Sequence, residues 1–124
     1  MRGREMILRW LPAIVWMMVI FFASSLSGRE LSAVSGYSFY GHLGEYTILG
    51  VLLFLAVRPT WPRWRPMLLT IALASAYGVT DELHQFLTPG RTPDPLDWAT
   101  DTLGALLGVA LVLLAEAAFR RRAR

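Results

Sequence analysis

Nine side chains able to move protons, bind cations or grip polar groups fall in three short stretches: His42-x-x-Glu45-Tyr46, Asp81-Glu82-x-His84-Gln85 and Asp97-x-x-x-Asp101. A tenth, Arg91, lies between the last two. Clustered carboxylates beside a histidine can hold the two protonation states that general acid–base chemistry needs. The same groups can instead bind an amine or a sugar hydroxyl, with the guanidinium meeting a phosphate and Gln85 and Tyr46 donating hydrogen bonds. No His-x-x-x-His or His-Glu-x-x-His spacing is present, so neither metal nor cofactor is expected. The chain has no cysteine, which excludes thiol chemistry. Ser24, Ser25, Ser27, Ser32, Ser35 and Ser38 sit in no motif that activates a serine. No catalytic residue is assigned.

These groups need elements that bring them to one place, and the rest of the chain supplies long apolar ones. Hydrophobic residues make up 55% of the sequence and mean hydropathy is +0.45, which calls for an apolar solvent. Four stretches are of bilayer-crossing length, at about residues 7–26, 40–57, 67–83 and 97–119. The expected fold is therefore all-α, a four-helix transmembrane bundle forming a single domain over 1–124, with the lipid bilayer as its first partner. The small residues Ala23, Ser24 and Ser25 also admit a signal-peptide reading of the first stretch, although its apolar region exceeds the usual length.

Turn chemistry marks the boundaries. Arg58-Pro59 stops the second stretch. The segment from Arg58 to Pro66, rich in arginine, tryptophan and proline, has the composition of a headgroup-level turn. Asp94 suits an N-cap with Pro95 at the first helical position, and Asp97, in the first turn, complements the helix dipole.

All twelve basic residues are arginine, and the formal net charge is +3. They flank apolar spans instead of lining one face, which argues for membrane anchoring and against nucleic acid. Ten lie before the first span, in the middle turn and at the end, against Arg29 and Arg91 in the other two loops. Both termini are thus expected in the cytoplasm, with loops 27–38 and 85–95 outside. That topology brings His42, Glu45, Asp81, Glu82, His84, Gln85, Asp97 and Asp101 to one depth near the outer interface. Ionised carboxylates there cost a few kcal/mol unless paired or wet. Asp81, His84 and Gln85 share a helix face, while Asp97, Asp101, Gly104 and Gly108 run at i, i+4, i+7 and i+11, two carboxylates above a small-residue groove. Close packing at that groove would bury Asp101.

The combined pattern Asp81-Glu82-x-His84-Gln85, Pro89-Gly90-Arg91 and Asp97-x-x-x-Asp101-x-x-Gly104-x-x-x-Gly108, with His42-x-x-x-Tyr46, resembles the VanZ-like family of small bacterial membrane proteins. The resemblance covers roughly residues 38–110. Ser38 and Phe39 replace an Asp-Lys pair often found before the histidine, and Asp101 stands where many members carry asparagine. The resemblance implies a bacterial cytoplasmic-membrane location and one site formed by His42, Tyr46, Asp81, Glu82, Gln85, Arg91, Asp97 and Asp101. It also implies a link to the cell envelope and to susceptibility to the glycopeptide teicoplanin, antibiotic resistance being the association of the family's namesake.

Three functions are compatible with these residues. The expected one is non-enzymatic, an outer pocket binding a polar ligand such as a cell-wall precursor or lipid headgroup. The alternatives are a membrane enzyme acting on a lipid-linked substrate, with Asp81 or Glu82 as base and His84 as acid, and a small ion or proton transporter. The oligomeric state is not encoded in any pattern found here.

Overall fold

A segment that enters lipid must satisfy its backbone internally, and the helix is the local way to do so. The computed structural model, which describes residues 2–26, 37–59 and 64–123, is helical throughout its regular structure. Its four helices are α1 (Arg2–Ser24), α2 (Tyr37–Val57), α3 (Arg65–Phe86) and α4 (Pro95–Arg122). Each extends a few residues beyond at least one end of the expected span, because polar residues at the interface continue the hydrogen-bond ladder past the apolar run. At about 1.5 Å per residue they are all long enough for a hydrocarbon core of about 30 Å.

α1, α2 and α4 are long and apolar enough to cross a membrane. α3, with 22 residues, has the length; its hydroxyls and the Asp81-Glu82 pair lower its apolar content. Only 11% of the apolar stretch of α1 is buried in the bundle, against 44% for α2. Leu8, Leu11, Val15, Met18 and Phe22 of α1 all face outward. A face of this kind is stable against lipid and would be a large aggregation-prone patch in water. α2 is the central helix, and Tyr46, Leu49 and Leu53 form the core with Ala13, Ile20, Ala74 and Ala105.

The seam between α2 and α4 is made by glycines. A Cβ on Gly104 would lie 2.8 Å from the Leu43 carbonyl oxygen, and one on Gly50 would lie 2.6 Å from the Ala105 carbonyl oxygen. A Cβ on Gly108 would overlap the Thr47 carbonyl oxygen. The two backbones therefore touch, the geometry that small residues permit between helices in lipid. The seam aligns His42, one turn before Tyr46, with Asp101, just before Gly104.

Local signals set the ends. Arg58, preceding Pro59, is disfavoured in the helical region, and α2 stops at Val57. Asp94 caps α4, its Oδ1 accepting from the Leu96 N–H at 2.8 Å, with Pro95 in the first turn. Between α3 and α4, Arg91 N–H closes a turn on the Thr88 carbonyl at 3.1 Å. Gly90 there has φ 74°, which suits the third residue of a type II turn and follows Pro89 at the second. Residues 27–36 and 60–63, which hold most of the expected outer loop with Arg29 and the middle of the arginine–tryptophan turn, lie outside the described residues.

Candidate functional site

α2, α3 and α4 each present one polar turn at the same end of the bundle. His42, Tyr46, Gln85 and Asp101 are at most 2% exposed, and Asp81 and Glu82 are buried with them. His42 Nδ1 lies 2.7 Å from Asp101 Oδ1, and its Nε2 lies 3.8 Å from Asp97 Oδ2. Glu82 Oε2 accepts the backbone N–H of Asp94 at 2.7 Å, tying the end of α3 to the cap of α4. His42, Glu82 and Asp101, one from each helix, bring a donor atom apiece within 4.8 Å of one another.

A second chain of bonds runs beside this group. Arg91 donates to Gln85 Oε1 at 2.6 Å, Gln85 Nε2 donates to Asp81 Oδ2 at 3.3 Å, and Ser24 Oγ of α1 donates to Asp81 Oδ1. Arg91 does enter from the loop, as its position allowed. Both oxygens of Asp81 are thus supplied with donors.

Two expected members stand apart. His84 is half-buried and faces α1, with Nε2 2.9 Å from Ser25 Oγ and its ring stacked on Phe21 at 4.2 Å between centroids. Its turn of α3 splits, because position 84 lies on the α1 side of the face that carries Asp81 and Gln85. Glu45 is half-buried, one position off the His42–Tyr46 line, and its backbone carbonyl accepts from Trp16 Nε1 at 2.8 Å.

The sequence patterns missed Ser24, Ser25 and Gly78. The serines act only because α1 ends at the depth of Asp81, a tertiary fact with no local motif. Gly78 faces Asp101, and a Cβ there would approach Asp101 Oδ2 to 2.9 Å. It lies one turn of α3 before Glu82, and that spacing was its only signal. The Ser25 hydroxyl also donates to the Phe21 carbonyl at 2.8 Å. Its single proton is then committed to backbone, and His84 Nε2 is the donor toward Ser25 Oγ, the reverse of a base activating a nucleophile.

Among the described residues, five buried side-chain atoms have no hydrogen-bond partner: Tyr46 Oη, Thr70 Oγ1, Glu82 Oε1, Arg91 Nη1 and Asp101 Oδ2. All but the threonine belong to the polar end. Buried polar groups are nearly always satisfied, and four orphans on the residues that the motifs single out set this end apart from the rest of the bundle. An apolar groove of about 250 Å³, walled by Val79, Leu83, Pro93, Pro95 and Trp98, reaches Glu82 from the outside of the bundle. A larger cavity of about 690 Å³ lies at the opposite end, beside Arg58, Pro66, Glu116 and Arg120. There Glu116 pairs with Arg58 and, at 3.7 Å, with Arg120.

An all-helical bundle with lipid-suited outer faces and a buried polar cluster at one end defines a small integral membrane protein. The chain belongs to the VanZ/LLP1 family, whose model matches residues 9–116. Searches of curated proteins and of solved structures returned no significant match.

Proposed function

We propose that this VanZ-like protein is a multi-pass protein of the bacterial cytoplasmic membrane whose polar end, on the outer side, binds a polar headgroup of the cell envelope. The four orphaned atoms carry this reading: Tyr46 Oη and Arg91 Nη1 offer donors, while Glu82 Oε1 and Asp101 Oδ2 offer acceptors. A zwitterionic lipid or cell-wall precursor headgroup, phosphate on one side and amine or hydroxyl on the other, has the matching halves. The groove at Glu82 suits the adjoining acyl chain. The ten-to-two arginine distribution supports placing both termini in the cytoplasm and the cluster outside.

The enzyme alternative receives less support, since Asp81 has both oxygens engaged and His84 faces Ser25 instead of the cluster. A transport path is opposed by the apolar core beneath the cluster, where Leu49, Leu53, Ala74 and Ala105 are packed together.

The test is teicoplanin susceptibility of a glycopeptide-sensitive host carrying wild type, Asp81→Asn or Arg91→Ala, at matched membrane levels. Protection by wild type alone ties the cluster to the envelope. No protection by any allele removes the glycopeptide link, and direct headgroup binding to purified protein then decides the rest.

A further inference from the structure

His42, Glu82 and Asp101 come from three different helices, and each is more than nine-tenths buried. Their donor atoms lie within 4.8 Å of one another. Each carboxylate has one oxygen engaged and one idle. Asp101 Oδ1 faces His42 while Oδ2 has no partner, and Glu82 Oε2 takes the Asp94 N–H while Oε1 has none. Gly78 leaves room at Asp101 Oδ2 that any side chain would fill. Asp97 Oδ2, 3.8 Å from His42 Nε2, is too far for a hydrogen bond.

Charge points the same way. Four carboxylates, Asp81, Glu82, Asp97 and Asp101, gather at this end. Arg91 donates to the neutral Gln85, and His42 pairs with Asp101. Carboxylates withdrawn from water need countercharge, which a divalent ion supplies.

We infer that His42, Glu82 and Asp101 form a binding site for one divalent transition-metal ion. One imidazole nitrogen with carboxylate oxygens suits zinc or manganese better than calcium or magnesium, which prefer oxygen alone. His42 Nδ1, the nitrogen on the Asp101 side, is the one that coordinates. The ion takes Glu82 Oε1 and Asp101 Oδ2 and leaves Tyr46 Oη and Arg91 Nη1 for the phosphate of a headgroup; ion counting decides it separately from headgroup binding.

The full chain, purified in detergent and stripped with chelator, is titrated with zinc chloride or manganese chloride and desalted, and bound metal is counted by mass spectrometry. Wild type retains one ion per chain. Glu82→Gln and Asp101→Asn, near-isosteric changes, weaken binding at least about tenfold, while Glu116→Gln, at the other end, matches wild type. A readout that needs no variant is the electron paramagnetic resonance of the manganese-loaded wild type, which carries nitrogen hyperfine coupling from the His42 ring. Metal absent from wild type, an ion lacking nitrogen coupling, or undiminished binding by Glu82→Gln and Asp101→Asn would overturn the site.

Discussion

Substituting alanine at Gly104 and, separately, at Gly44 isolates the cost of the glycine seam. Both residues lie inside helices, so both exchanges gain the same propensity, about 1 kcal/mol in favour of alanine. They differ in what the new methyl meets. At Gly44 nothing lies within 4 Å, whereas at Gly104 the Cβ sits 2.8 Å from the Leu43 carbonyl oxygen and 3.0 Å from the Thr47 nitrogen. Ordinary contact begins near 3.4 Å, so α2 must retreat by about 0.6 Å, the difference 3.4 − 2.8. The obstacle is backbone and cannot rotate away. Overpacking of this size costs about 1–3 kcal/mol. Propensity cancels between the two variants, so Gly104→Ala falls below Gly44→Ala by that amount. The retreat also stretches the 2.7 Å contact between His42 and Asp101, the first groups above the seam. Reversible unfolding in mixed detergent micelles, followed by circular dichroism, measures the difference. Equal stability of the two variants would show that α2 and α4 do not meet backbone to backbone at this register.

Three further outcomes are expected. His42→Ala leaves Asp101 buried without its partner and lowers unfolding stability by about 3–5 kcal/mol; adding Asp101→Asn restores part of the loss in the same assay, and a double-mutant loss equal to the sum of the two single losses would mean the residues act independently. Gly90→Ala forces a side chain into a φ of 74°, which costs about 1 kcal/mol and detaches Arg91 from Gln85, visible as faster amide hydrogen exchange over residues 88–91. Arg58→Gln changes stability by less than about 1 kcal/mol, because the Arg58–Glu116 pair is half-exposed and such pairs contribute little; a larger loss would show that the pair is shielded.

The helices and their ends were legible because each rests on local physics: apolar length for the spans, Asp94-Pro95 for the start of α4, Arg58-Pro59 for the stop of α2. Burial of Asp101 followed from its place above Gly104. What could not be read were relations between helices. Nothing near Asp81 announces Ser24, and nothing near His84 shows that it turns toward Ser25, since the rotation of α3 against α1 involves Tyr77 finding the Met17 carbonyl on the facing helix. The grouping of His42, Glu82 and Asp101 was hidden for the same reason. Spacing rules describe ligands on one helix, and these come from three.

α1 is held at three heights by Trp16 on the Glu45 carbonyl, Tyr77 on the Met17 carbonyl and Ser24 on Asp81. Lipid supplies no hydrophobic drive for one greasy helix to leave it and join others, so these bonds act as the latch. Their donors and acceptors are divided between α1 and the later helices, which sets an order of assembly. The latch can close only when α2 and α3 are both in place, and closing it brings Ser24 onto Asp81.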